Sequence, residues 1–137
     1  MGIEPGLVNE FTVTVEEADT ARASAGESLP PVLSTPRLIS LLERAANDSL
    51  LPYLEAGQGS VGALVNVRHL AATPVGMQVR VRAELLERDG RRLRFKVEAW
   101  DLVDKIAEGE HERFIIDRAR FDERLEKKRQ ALRHSGD

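Results

Sequence analysis

Pro31-Val-Leu-Ser-Thr-Pro-Arg-Leu-Ile-Ser-Leu-Leu-Glu-Arg-Ala-Ala46 is the stretch whose reading decides the fold. It reads as the start of a buried helix. Thr35 suits the N-cap, because a hydroxyl can accept a hydrogen bond from a free N–H of the first turn. Pro36 suits the first helical position, where its missing N–H costs nothing. Leu38, Ile39, Leu41, Leu42, Ala45, Ala46 and Leu50 follow. A helix apolar nearly all round is buried nearly all round. Glu43 interrupts that surface. At about 100° per residue it shares a face with Ile39, Ala46 and Leu50, away from Arg37, Ser40 and Arg44. A carboxylate there costs several kcal/mol unless it is paired or protonated. Glu43 is therefore a candidate functional acid. The helix is expected from about Pro36 to Leu51, ahead of Pro52.

Working outward, residues 60 to 69 alternate as a strand. Val61, Ala63, Val65, Val67 and His69 fall on one face; Ser60, Gly62, Leu64, Asn66 and Arg68 fall on the other. His69 thus projects from the apolar face, which is expected to pack on the helix carrying Glu43. After the turn Ala71–Gly76, a third strand turns Met77, Val79, Val81, Ala83 and Leu85 inward. Asp89-Gly90 is a hairpin signal. The fourth strand turns Leu93, Phe95, Val97 and Ala99 inward. The fifth, about 106 to 117, turns Glu108, Glu110 and Glu112 outward and His111, Arg113 and Ile115 inward. Phe114 and Ile116 depart from that alternation, and a bulge is expected to reconcile them. On the N-terminal side, residues 7 to 15 read as a strand with Phe11, Val13 and Val15 inward. Glu16 to Pro30 reads as a loop with a short helical turn. From Arg118 the chain reads as a short surface helix running into a disordered end. This order predicts an α+β fold: one buried helix across a five-stranded antiparallel sheet. One domain is expected over 1–137, with its core at about 7–121 and a charged tail at about 118–137.

Composition narrows the classes. The 137 residues carry a net charge of −3, so nothing pulls the whole chain toward nucleic acid or an anionic membrane. No cysteine is present, which removes disulfides, thiolate nucleophiles and cysteine metal sites. No apolar run approaches the ~20 residues that span a bilayer. Met1-Gly-Ile-Glu-Pro5 lacks a basic n-region and an apolar h-region, so no signal peptide and a cytoplasmic location are expected. His69, His111 and His134 lack metal-ligand spacing, and no metal is expected. His111 and His134 read as structural or solvent-exposed.

The motifs sharpen this. Ser34-Thr35-Pro36 has Glu43 eight residues after the threonine. Then come Ser60-Val61-Gly62, His69-Leu-Ala-Ala-Thr73-Pro74-Val75-Gly76 and Gly109-Glu110-His111-Glu112-Arg113. Together they resemble the fluoroacetyl-CoA thioesterase type of hot-dog thioesterase, over about residues 7 to 121. The resemblance implies the hot-dog fold, action on acyl-CoA thioesters, and a catalytic group at Thr35, Glu43 and His69. It implies that Gly62 and Arg113 line the site, and Thr73 and Gly76 are assigned to substrate binding with them. It implies no cofactor, coenzyme A being part of the substrate, and a homodimer, with tetramers left open. One departure stands out: Ala25–Pro31 holds no aromatic residue where the fluoroacetyl-specific member has an aromatic lid. A small acyl group is expected, its identity open. The alternative is a non-catalytic acyl-CoA-binding module of the same fold.

The chemistry asks for a nucleophile, a proton shuttle and oxyanion donors. Thr35 could attack or position a water; His69 suits the shuttle, since its unperturbed pKa of about 6.5 allows both directions. Glu43 could orient His69 or itself activate water. The sequence leaves open which of Thr35 and Glu43 makes the attack. Taken alone, Thr35 reads as a cap and His69 as a core histidine; Glu43 and His69 together answer each other's burial.

Overall fold

The computed structural model describes residues 2–135. β1 (Val8–Thr14) leads through a 3-10 turn at Glu17–Asp19 and a short α1 (Ala21–Ala25) to α2 (Thr35–Leu50). β2 (Gln58–His69), β3 (Gln78–Asp89), β4 (Arg92–Trp100), β5 (Lys105–Asp117) and α3 (Arg118–Ser135) follow. The sheet is antiparallel, in the order β1-β3-β4-β5-β2. β1 and β2 are thus opposite edges, and the connection between them carries α2 across the sheet. Leu38, Leu41, Leu42, Ala45, Ala46 and Leu50 are buried there. They meet Val79, Val81, Ala83 and Leu85 of β3 and Leu93, Phe95, Val97 and Ala99 of β4 in one core cluster. These are the inward sets that the alternation predicts. Each buried leucine contributes about 1.5–3 kcal/mol through the area it removes from water. Asn9 of β1 ties the helix from the side, donating to the Ala45 carbonyl at 3.1 Å.

Five expectations need correction. The N-cap of α2 is Ser34, not Thr35: the Ser34 hydroxyl accepts from the Arg37 N–H at 3.1 Å. Backbone bonds from Leu33 N–H to the Thr73 carbonyl and from Ser34 N–H to the Asp19 carbonyl hold Ser34 extended. The helix therefore starts one residue early. Glu43 is not buried; its side chain is 41% exposed. α2 is closed on its sheet side and open along Thr35, Ile39 and Glu43, where it overhangs the edge strand β2.

The alternation of β2 is broken. Gly62 pairs with Arg113 and Leu64 with Glu112, so Ala63 is an extra residue. This bulge switches faces: Val65, Val67 and His69 keep the expected side, while Ser60 and Gly62 join it. No bulge occurs at Phe114–Ile116; Phe114 stays exposed and Ile116 is buried near the root of α3. The β5 bulge lies at the other end, at Ile106, where Ala99 pairs with Ala107 and Trp100 with Lys105. Finally, α3 is an 18-residue helix rather than a short one. Glu126 pairs with Arg129 and Arg133 at 3.0 and 2.8 Å along it, contacts one helical turn or two apart that support an exposed helix. The disordered end expected beyond it falls mostly outside the described residues.

Candidate active site

Because Ser34 does the capping, the Thr35 hydroxyl is free for other work. Thr35 Oγ1 lies 2.8 Å from His69 Nδ1. The helix places the hydroxyl at the positive end of its dipole, where developing negative charge is favoured. β2 places the imidazole at its last residue, on the inward face restored by the bulge. Burial lowers the His69 pKa; the Ala71 carbonyl works against that without completing a hydrogen bond to Nε2. The ring is therefore neutral at neutral pH, the form a base requires. With Nδ1 accepting from Thr35, the ring proton sits on Nε2. That atom is buried without a hydrogen-bond partner among the described residues.

Glu43 belongs to a second cluster. Its Oε2 lies 3.9 Å from Arg113 Nη1. Arg113 is almost fully buried and is held by Ser60, through Nε to the hydroxyl at 2.8 Å and Nη2 to the carbonyl at 3.1 Å. The Ser60 hydroxyl donates in turn to Asn47 Oδ1 of α2 at 2.8 Å. Burial pushes the Arg113 pKa down and the Glu43 charge opposes that shift; an arginine remains cationic. Gly62 leaves a niche in the same cluster. A Cβ there would lie 3.2 Å from His111 Cε1, 3.4 Å from Glu43 Oε2 and 3.5 Å from Arg113 Nη1.

Thr35 and Glu43 stand eight residues apart, about 12 Å along the helix axis at 1.5 Å per residue. The fold thus brings Thr35 to His69, and Glu43 to Arg113 and Gly62, at two points of one open helix face. Thr73 and Gly76 sit elsewhere. Thr73 is fully buried, donates to Asp101 Oδ2 at 2.9 Å and gives its carbonyl to Leu33. Gly76 turns the chain at φ +93° and donates to the Val15 carbonyl at 2.8 Å. Thr73 braces the segment that enters α2, and Gly76 ties the turn before β3 to the residue that follows β1.

The family profile described as fluoroacetyl-CoA-specific thioesterase matches residues 15–119. The chain belongs to that family. A fluoroacetyl-CoA thioesterase of Streptantibioticus cattleyicolor is 43% identical over 99 residues, covering 72% of this chain and 71% of that protein. A solved structure of a fluoroacetyl-CoA thioesterase superposes with a TM-score of 0.88 at 36% identity, covering 93% and 98% of the two chains. A thioesterase superfamily member from Thermus thermophilus superposes at 0.89 with 31% identity, covering 96% and 97%. This fluoroacetyl-CoA thioesterase family member is accordingly a thioester hydrolase with the hot-dog fold.

Three residues of the site escaped the reading of the sequence. Ser34 was hidden by the adjacent Thr35, which has the same cap chemistry. Ser60 was hidden by the bulge. His111 was visible as an inward residue beside Arg113, which was the signal, but its partners lie on another strand.

Proposed function

We propose that the protein hydrolyses a small acyl-CoA thioester to the free acid and coenzyme A, with Thr35, His69 and Glu43 as the reacting group. The 2.8 Å contact between Thr35 Oγ1 and His69 Nδ1 carries this reading. A threonine hydroxyl needs an adjacent base to attack at neutral pH, and a neutral imidazole is in place. In the reaction read here, Thr35 passes its proton to His69 and attacks the thioester carbonyl. The thiolate of coenzyme A leaves and takes that proton. Water then cleaves the acyl-threonine ester, with Glu43 as its base, and restores the hydroxyl. The scheme uses no cofactor.

The open edge of β2 supports a homodimer. Gly62 to Asn66 are exposed, Leu64 and Val65 at 44% and 41%, and an unpaired edge of this kind is a template for pairing. A two-fold antiparallel pairing centred near Leu64 lays the His69 end of one strand against the Ser60 end of the other. The Thr35–His69 pair of one protomer then approaches Glu43 and Arg113 of its mate. It would also offer an acceptor to the unpartnered Nε2.

The anionic end of the substrate has a match. Arginines on the outer sheet face are tied up, Arg92 to Glu112 at 3.0 Å and Arg94 to Glu110 at 3.0 Å. Arg91, Arg120 and Arg124 form no ion pair among the described residues. They line a cavity of about 380 Å³ with Phe114 and Phe121, and Val61 and Asp117 are also on its wall. Free guanidinium groups beside aromatic rings suit the phosphates and adenine of coenzyme A.

The test is steady-state hydrolysis of a panel of acyl-CoAs with detection of free thiol. His69→Ala and Glu43→Ala are each expected to cost at least ~100-fold in kcat. Rapid quench and peptide mass spectrometry should find the acyl group on Thr35, accumulating in Glu43→Ala. Binding of acyl-CoA without release of thiol would instead favour a non-catalytic binding module, and an adduct on Glu43 would reverse the roles.

A further inference from the structure

One buried titratable side chain has no part in that reaction. His111 of β5 is 1% exposed. Its Nδ1 lies 2.8 Å from the carbonyl of Leu64, the residue just past the β2 bulge. Its Nε2 lies 3.2 Å from Arg113 Nη1. A carbonyl only accepts, so Nδ1 carries the proton; a guanidinium only donates, so Nε2 presents its lone pair. A single species satisfies both bonds, the neutral Nδ1–H imidazole. The Phe95 ring packs beside it, centroids 6.5 Å apart, and helps to hold the plane of the imidazole.

This ring completes the hold on Arg113. Ser60 takes Nε and Nη2, and His111 takes one N–H of Nη1. Among the described residues, the other N–H of Nη1 has no partner closer than Glu43 Oε2, at 3.9 Å, a gap longer than a hydrogen bond. That nitrogen stands at the rim of the Gly62 niche. Turning the ring over, or protonating Nε2, would set N–H against N–H and remove the acceptor that fixes the guanidinium.

We infer that His111 is a positioning residue for Arg113: as the Nδ1–H tautomer it aims the remaining Nη1–H at the reacting group beside Glu43. The inference rests on the thioesterase reading of that site. A donor aimed before the substrate arrives needs no reorganisation as charge develops on the thioester oxygen.

The tautomer is read directly on the wild-type protein by long-range proton–nitrogen NMR of the imidazoles, assigned with His111→Gln. Nδ1–H is expected, and Nε2–H overturns the inference. Kinetics give a second reading. His111→Gln places an amide oxygen near the position of Nε2 and should keep kcat within roughly threefold. His111→Phe keeps the ring but not the acceptor, and should lower kcat roughly tenfold or more with KM moved less. In an Arg113→Lys background the same His111→Phe change should cost little more, because no guanidinium is left to aim. A full additional loss there means that His111 acts by packing alone, and the inference fails. A wild type that turns over no acyl-CoA would sink the thioesterase reading, while the tautomer spectrum would still report on the contact.

Discussion

Ser34 and Thr35 are adjacent hydroxyls with separate duties, and single substitutions should pull the duties apart. Ser34 is nearly buried and satisfies the Arg37 N–H. Its loss should destabilise the protein by about 1 kcal/mol, the usual cost of removing an N-cap. Thr35 is exposed, and its side-chain hydroxyl bonds to His69. Thr35→Ala should therefore leave the melting temperature close to wild type while kcat falls by ~100-fold or more. Ser34→Ala should show the reverse, a lower melting temperature with kcat nearly kept. Thermal melts beside steady-state assays measure both. A Thr35→Ala protein that is unstable but active would make Thr35 part of the cap and leave the His69 contact without a chemical role.

At the level of elements, β2 decides the most, because it is an edge strand along half of the site. Leu64→Glu would set two carboxylates against each other across a two-fold pairing, and like charges opposite one another disfavour pairing. The expected result is a folded monomer by sedimentation, with Thr35 and His69 still in contact but with activity lost. A monomer as active as wild type would show that each chain holds a complete site. The arginines of the β3–β4 turn and α3 supply a second test. Replacing Arg91, Arg120 and Arg124 with glutamine should raise KM for acyl-CoA roughly tenfold while leaving turnover of a short acyl thioester without the nucleotide unchanged. The same strand explains how far the sequence could be read. From Val65 to His69 the period of two is intact, so the inward His69 was legible. Gly62, just ahead of the extra Ala63, is the kind of residue that marks a bulge, but a lone glycine does not fix where the alternation breaks, so Ser60 and Gly62 were assigned to the wrong face. In β5 the alternation exposed His111 and Arg113 as inward, yet which strand supplies their partners is set by sheet order, which no local pattern encodes. Glu43 was legible as a misfit on an apolar helix, but its half-exposed setting follows from how far α2 overhangs the sheet edge.

For the whole molecule, two of the three histidines sit where burial holds their pKa below the usual value, with Arg113 adding to the effect at His111. The sign of the pH dependence follows. Above about pH 6.5 both rings are neutral in the folded and unfolded chains, and they contribute nothing to the slope. As pH falls through about 6.5 the unfolded chain binds protons first, so stability falls with pH until the folded-state values are reached. A second loss belongs lower. At Glu98 burial works to raise the pKa, but the Lys105 hydrogen bond and the charges of Lys105, Lys96 and Arg82 outweigh it. At Asp101 burial is outweighed by the Asp104 and Val103 N–H groups and the Thr73 hydroxyl. Both carboxylates stabilise the fold above their unfolded values, and that contribution disappears as pH falls below about 4. Urea unfolding at a series of pH values should thus show two separate declines. His111→Gln, which cannot protonate, should flatten the upper decline and leave the lower one alone. The acid limb of kcat/KM, expected to follow His69, should lie below the pH at which a free imidazole titrates. An upper decline unchanged in His111→Gln would mean that His69 or the overall charge carries it, and that burial of His111 has no weight in acid stability.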